Sequence, residues 1–214
     1  MKKNFFLLRM KVNGIKNIEH EIQIDFYKST LTRILNTSDS HVKAIYGANG
    51  AGKTAIIYAV EIYKNLVLDS DYLAMNNANG ALENLINQKN NEFEIEMYYA
   101  CLENGNELKK VYRHKFILRK KEDRYFISEE YLSELLGMQL NNESKYATLY
   151  SIKDGVIVEI DKNCDQEKIK NNSMNLLTKQ SFCSIFFVNA FKNNIHFGEE
   201  LVNAIQANFV FAVR

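Results

Sequence analysis

The sequence contains no proline and no tryptophan, three cysteines, four histidines and nine glycines in 214 residues. Proline makes up about 5% of an average chain, so its absence removes the usual markers of linkers, and the chain must be divided on pattern alone. Cys101, Cys164 and Cys183 are odd in number and far apart. With His20, His41, His114 and His196 they spell neither a zinc-ligand spacing nor a disulfide frame, and the cysteines read as buried, inert thiols. An excess of one charge is also lacking: 27 Lys and Arg stand against 26 Asp and Glu. No global field draws in nucleic acid, so such a role needs a local patch. No apolar run nears the roughly 18 residues of a membrane span. The opening Met1-Lys2-Lys3-Asn4-Phe5-Phe6-Leu7-Leu8 mimics a signal peptide, but Arg9 and Lys11 interrupt it and no cleavage site follows. The chain reads as cytoplasmic, with no membrane partner.

What is present suffices for a core: 46% apolar and 25% charged residues over this length suit one domain or a domain with a small appendage. Phe5 to Val12 reads as a strand closed by the turn Asn13-Gly14, and Glu21 to Phe26 alternates as its hairpin partner. Residues 28–41 are polar and read as a loop, and Val42 to Tyr46 as a short buried strand. Ile56, Ile57, Ala59, Val60, Tyr63 and Leu66 recur at helical spacing and predict a helix from about Lys53 to Leu66. Phe93, Ile95, Met97, Tyr99 and Cys101 then alternate strictly, and Asn104-Gly105 predicts a hairpin returning over 108–118. Tyr125 to Ile127 reads as a third strand and Glu129 to Leu136 as a short helix. Asp154-Gly155 marks a second hairpin between 147–152 and 156–160. Helices are predicted near 165–178, 182–192 and 198–208. The segments are then 1–90, a P-loop core with antiparallel strands; 91–161, an antiparallel meander of the same lobe; and 162–214, helical.

One motif carries chemistry. Gly47-Ala48-Asn49-Gly50-Ala51-Gly52-Lys53-Thr54 fits the phosphate-binding pattern GxxxxGK[ST] at every fixed position. Glycines let the backbone approach phosphates closely, and successive amides make a nest for anionic oxygens. The helix starting there adds its free N–H groups and dipole. Lys53 can reach the β and γ phosphates as the catalytic cation, and the Thr54 hydroxyl can ligate Mg²⁺. The implied cofactors are ATP and Mg²⁺.

The form G-x-N-G-x-G-K-[ST], with Asn49 before Gly50, resembles ABC-type ATPases and especially the SMC, RecF and OLD-like group. The opening Lys11-Val12-Asn13-Gly14-Ile15-Lys16-Asn17-Ile18, followed by a strand ending Ile24-Asp25-Phe26, is similar to how that group begins. The 92–160 meander also loosely resembles AAA-type ATPases of bacterial phage-defence systems. The resemblance implies an α/β fold, the N-terminal lobe of a P-loop NTPase with an antiparallel β subdomain and C-terminal helices. It implies that Lys16 and Asn17 touch the nucleotide; an ordinary exposed turn is the other reading. It also implies that Gln180 senses Mg²⁺, that ATP joins heads as a homodimer or head-to-head oligomer, and that DNA or a nuclease or toxin effector is the partner.

Other family features do not occur. No four apolar residues lead into Asp-Glu; Val156-Ile157-Val158-Glu159-Ile160-Asp161 comes nearest and reads as a plain strand. No Leu-Ser-Gly-Gly-like signature or switch histidine occurs either. The length therefore reads as about half of an ATPase head. A non-hydrolysing nucleotide-binding module is the alternative, and a small-molecule P-loop kinase, which needs lid arginines, is disfavoured by only six Arg. Lys109, Lys110, Arg113, Lys115, Arg119, Lys120, Lys121 and Arg124 form a basic cluster. The cluster suits DNA phosphates, but Glu92, Glu94 and Glu96 across the hairpin are expected to neutralise most of it, leaving Arg119, Lys120 and Lys121.

Overall fold

In the computed structural model, which describes residues 4–27, 30–37, 45–46, 52–173, 175–190 and 195–213, strand alternation builds the centre of the molecule. β1 (Asn4–Asn13) pairs antiparallel with β2 (Ile22–Asp25) on one side and with β3 (Glu92–Glu103) on the other. β4 (Glu107–Lys121), β5 (Arg124–Leu135), β6 (Tyr146–Lys153) and β7 (Val156–Ile160) follow as a meander. The seven strands form one antiparallel sheet in the order β2-β1-β3-β4-β5-β6-β7. The predicted segments 1–90 and 91–161 therefore share a sheet through the β1–β3 pairing. Asp154 and Gly155 have φ of 49° and 79° between the paired Lys153 and Val156, the double positive φ of a tight two-residue hairpin.

β5 corrects the expected helix at Glu129–Leu136. Ile117 pairs with Glu129 and Leu118 with Ile127, so Ser128 is an extra, bulged residue whose hydroxyl donates to Ile117 O at 3.0 Å. A second bulge falls opposite Leu132 and Ser133 on β6. Leu132 and Leu135, three apart as on one face of a helix, lie on opposite faces of the sheet, Leu132 in the main core and Leu135 in a smaller cluster. Glu130, within the span of that expected helix, is a completely buried strand residue.

The helices are α1 (Lys53–Leu68), α2 (Asn76–Leu85), α3 (Gln166–Ser173), α4 (Phe182–Ala190) and α5 (Glu199–Val213). Phe93, Ile95, Met97, Tyr99 and Cys101 point from β3 into the main core, shared with Ala59, Ile62, Tyr63 and Leu66 of α1 and Leu201, Ala204 and Ile205 of α5. The opposite face carries a smaller cluster, where Tyr98, Ala100 and Leu102 meet Leu8, Leu31 and Leu35. α2 was not legible in Asn76-Asn77-Ala78-Asn79-Gly80, which are mostly poor helix formers. Tertiary contacts hold it: Asn79 Nδ2 donates to Leu73 O at 2.8 Å, and its Oδ1 accepts from Tyr125 N at 2.9 Å. Residues 42–44 of the expected buried strand lie outside the described residues. Ile45 and Tyr46 are in neither strand nor core, and Tyr46 is 90% exposed.

Candidate nucleotide site

Gly47, Ala48, Asn49, Gly50 and Ala51 lie outside the described residues, and the site is built from what flanks them. Gly52 is the N-cap of α1, with φ 87° and ψ 4°, a left-handed conformation that suits glycine. No side chain caps the helix there, and its first turn holds no acid. Among the described residues, therefore, no side-chain cap and no first-turn acid competes for the helix's first amides and the positive end of its dipole. Lys53 is half-buried and Thr54 exposed at this end.

The turn after β1 leans on the same point. A Cβ on Gly52 would lie 3.1 Å from Ile18 Cγ1 and 3.4 Å from Asn17 Oδ1. Lys16 has φ 50°; its N–H donates to Leu85 O at 2.6 Å and its carbonyl accepts from Asn87 Nδ2 at 2.6 Å. Its ammonium sits 4.1 Å over the Tyr58 ring of α1. Lys16 and Asn17 are thus brought to the start of α1, as are Lys53 and Thr54. The sequence reading missed Tyr58, whose only signal is its place one turn beyond Thr54. Gly52→Ala is expected to cost about 1–3 kcal/mol of stability, because φ is strained and Ile18 must yield; urea unfolding measures it.

Residues 9–208, nearly the whole chain, match the AAA domain family, with the GxxxxGK[ST] loop entering α1 inside that span. The chain belongs to the AAA domain family. It is an ATP-binding protein of the AAA type, with the α/β fold expected and, among the described residues, a sheet whose seven strands are all antiparallel. Comparison with curated proteins finds no match.

Two sequence candidates of this AAA domain do not converge on α1's start. Gln180 precedes Ser181, whose hydroxyl donates to Leu66 O at 2.7 Å. Leu66 lies about 18 Å along the helix from Thr54 at 1.5 Å per residue, so Gln180 stands at the far end of α1 and does not join Thr54 around one ion. Val156–Ile160 is β7, with Asp161 just past its end, at the sheet edge five strands from β1, or about 24 Å at the usual strand spacing. Asp161 Oδ1 there accepts from Asn163 N at 3.0 Å, an ordinary turn contact.

The basic cluster is neutralised further than expected. Arg119 Nε meets Glu92 at 2.6 Å, Lys115 meets Glu94 at 2.6 Å and Arg113 meets Glu96 at 3.5 Å. Lys110 bridges Glu134 and Glu200, tying the sheet to α5. Arg119 and Lys120, expected to be left over, pair with Glu129 and with Glu83 respectively. No helix among the described residues is long and apolar enough to cross a membrane.

Proposed function

We propose that this AAA domain binds Mg·ATP on the loop Gly47–Thr54 and uses it to drive head-to-head association. The observation that carries this is the phosphate-loop sequence entering α1 at an uncapped, acid-free N-terminus in a chain of this family. Lys53 would bind the β and γ phosphates, Thr54 would ligate Mg²⁺, and Lys16 and Asn17 would flank the nucleotide from the β1 turn. The SMC, RecF and OLD-like reading adds that hydrolysis is completed by acids from another segment or a second copy. In that reading the ATP-joined heads gate a nuclease or toxin effector or act on DNA.

The second reading, a module that binds nucleotide without turning it over, is favoured by the distance of β7's acids from β1. Titration with a fluorescent ATP analogue in Mg²⁺, followed by steady-state phosphate release and light scattering, separates the two. Binding with release and an ATP-dependent rise in mass is the expected result. Binding without release selects the module, and no binding overturns both.

A further inference from the structure

The sequence spells no metal motif, yet the fold assembles a set of metal-ligating atoms. His114 on β4, Glu130 on β5 and Cys183 on α4 are each completely buried, and one ligand atom from each lies within 4.8 Å of the others. His114 Nε2 is 3.3 Å from Glu130 Oε1 and 3.8 Å from Cys183 Sγ. Zinc bonds of about 2.0–2.3 Å in tetrahedral array separate ligand atoms by about 3.3–3.8 Å. Both distances are therefore edges of a zinc tetrahedron. The Tyr150 hydroxyl adjoins all three, donating to Oε1 at 2.6 Å and lying 3.0 Å from Nε2 and 3.4 Å from Sγ; the first two are hydrogen-bond distances, so it would have to draw back to take the fourth corner.

A second layer orients these atoms. His114 Nδ1 lies 2.8 Å from the Tyr63 hydroxyl, which turns Nε2 into the cluster. Phe182 N–H donates to Glu130 Oε2 at 2.8 Å, leaving Oε1 for the centre. Asn208, itself completely buried, sends Nδ2 to Sγ at 3.5 Å, while its Oδ1 has no partner. Metal-binding histidines are held in this way, by a hydrogen bond on the ring nitrogen away from the metal.

Charge supplies an independent argument. Among the described residues the only ion-pair partner of Glu130 is His114; no Lys or Arg reaches it. A carboxylate in an apolar core costs heavily unless compensated. A divalent cation with one carboxylate, one thiolate and one neutral imidazole is a neutral site.

We propose that His114, Glu130 and Cys183 form a structural site for a zinc-class divalent cation, stapling β4 and β5 to α4, with Tyr150 at the fourth position. On binding, the Cys183 S–H bond breaks, Sγ bonds the metal and the proton leaves to solvent; no electrons change hands. The mixed sulfur, nitrogen and oxygen donors suit Zn²⁺ over Mg²⁺ or Ca²⁺. The site is separate from the nucleotide reading and does not rest on it.

The test uses the full chain without a histidine tag, refolded under reducing conditions with Co²⁺ as a spectroscopic stand-in. Uptake of about one Co²⁺ per chain is expected, with a near-ultraviolet thiolate-to-cobalt band that Zn²⁺ abolishes. Cys183→Ala should lose the band, whereas the Cys101→Ala, Cys164→Ala double variant should keep it. Glu130→Gln should weaken Co²⁺ binding at least about tenfold. The double variant assigns the band to Cys183 even where Cys183→Ala fails to fold. A folded wild-type chain with sub-stoichiometric metal and no thiolate band overturns the site and leaves a hydrogen-bonded network in its place. A band that persists in Cys183→Ala, or disappears from the double variant, also overturns it.

Discussion

Lys53→Ala is expected to reduce Mg·ATP affinity at least about a hundredfold, a loss of about 2.7 kcal/mol. Lys53 is the first residue of α1, directly after the left-handed Gly52, so in the proposed site its ammonium and the helix's first amides would serve one anion. Hydrogen bonds to charged groups contribute about 1.5–3 kcal/mol each, and a lysine reaching two phosphates makes more than one. Stability should move little, within about 0.5 kcal/mol, because the residue is only half-buried and alanine favours the first helical turn. Equilibrium titration with a fluorescent ATP analogue and urea unfolding read the two quantities separately. Unchanged affinity in a folded Lys53→Ala chain would falsify the assignment of the loop. Thr54→Ala provides a second check, since it should remove the Mg²⁺ dependence of binding more than the binding itself.

The start of α1 was legible because the GxxxxGK[ST] pattern calls for a helix beginning at its lysine. Lys53 and Thr54 open α1 directly after Gly52, and Ile56, Ala59, Tyr63 and Leu66 are buried as their spacing implies, whereas Ile57 of the same set is 67% exposed and the unlisted Ile62 takes its place on the inner face. β3 was legible for a similar reason: its alternation is unbroken, and every residue of the predicted apolar face is buried. β5 was not, because bulges are set by the partner strands and leave no local mark; Ser128 reads like any other serine until Ile117 is known to face it. α2 was illegible because the side chain of Asn79, not helix propensity, holds the segment against Leu73 and Tyr125. The His114, Glu130 and Cys183 set was invisible for the most general reason. Its members come from three elements separated by up to 69 residues, and no spacing rule spans such a gap. The pairing of β1 with β3 was equally unannounced, since only hairpins carry their turn in the sequence.

Gly14→Ala is expected to be the most destabilising glycine-to-alanine change among the described residues, costing about 3–5 kcal/mol. Gly14 ends β1 with φ +72°, and a Cβ there would lie 1.9 Å from Glu92 O and 3.0 Å from Glu92 C. The obstacle is the backbone of β3, which sits between β1 and β4 in the sheet and cannot turn aside as a side chain would. Gly105→Ala separates the two contributions. Gly105 has φ +92° but nothing within 4 Å of its Cβ position, so that variant bears only the conformational cost, about 1 kcal/mol. Unfolding free energies from urea titration of the pair should therefore differ by about 2–4 kcal/mol, and equal values would show that β3 yields at no cost. The displacement should also reach the nucleotide end. Gly14 N–H donates to Ile18 O at 3.1 Å, and its carbonyl accepts from Asn87 N at 2.9 Å, so the glycine anchors the turn that carries Lys16 and Asn17. Ile18 of that turn lies against Gly52. A shift at β1's end thus moves the Lys16–Ile18 turn relative to α1, and ATP affinity in Gly14→Ala should fall even where the chain remains folded. Gly105→Ala, at a remote hairpin, should leave it unchanged.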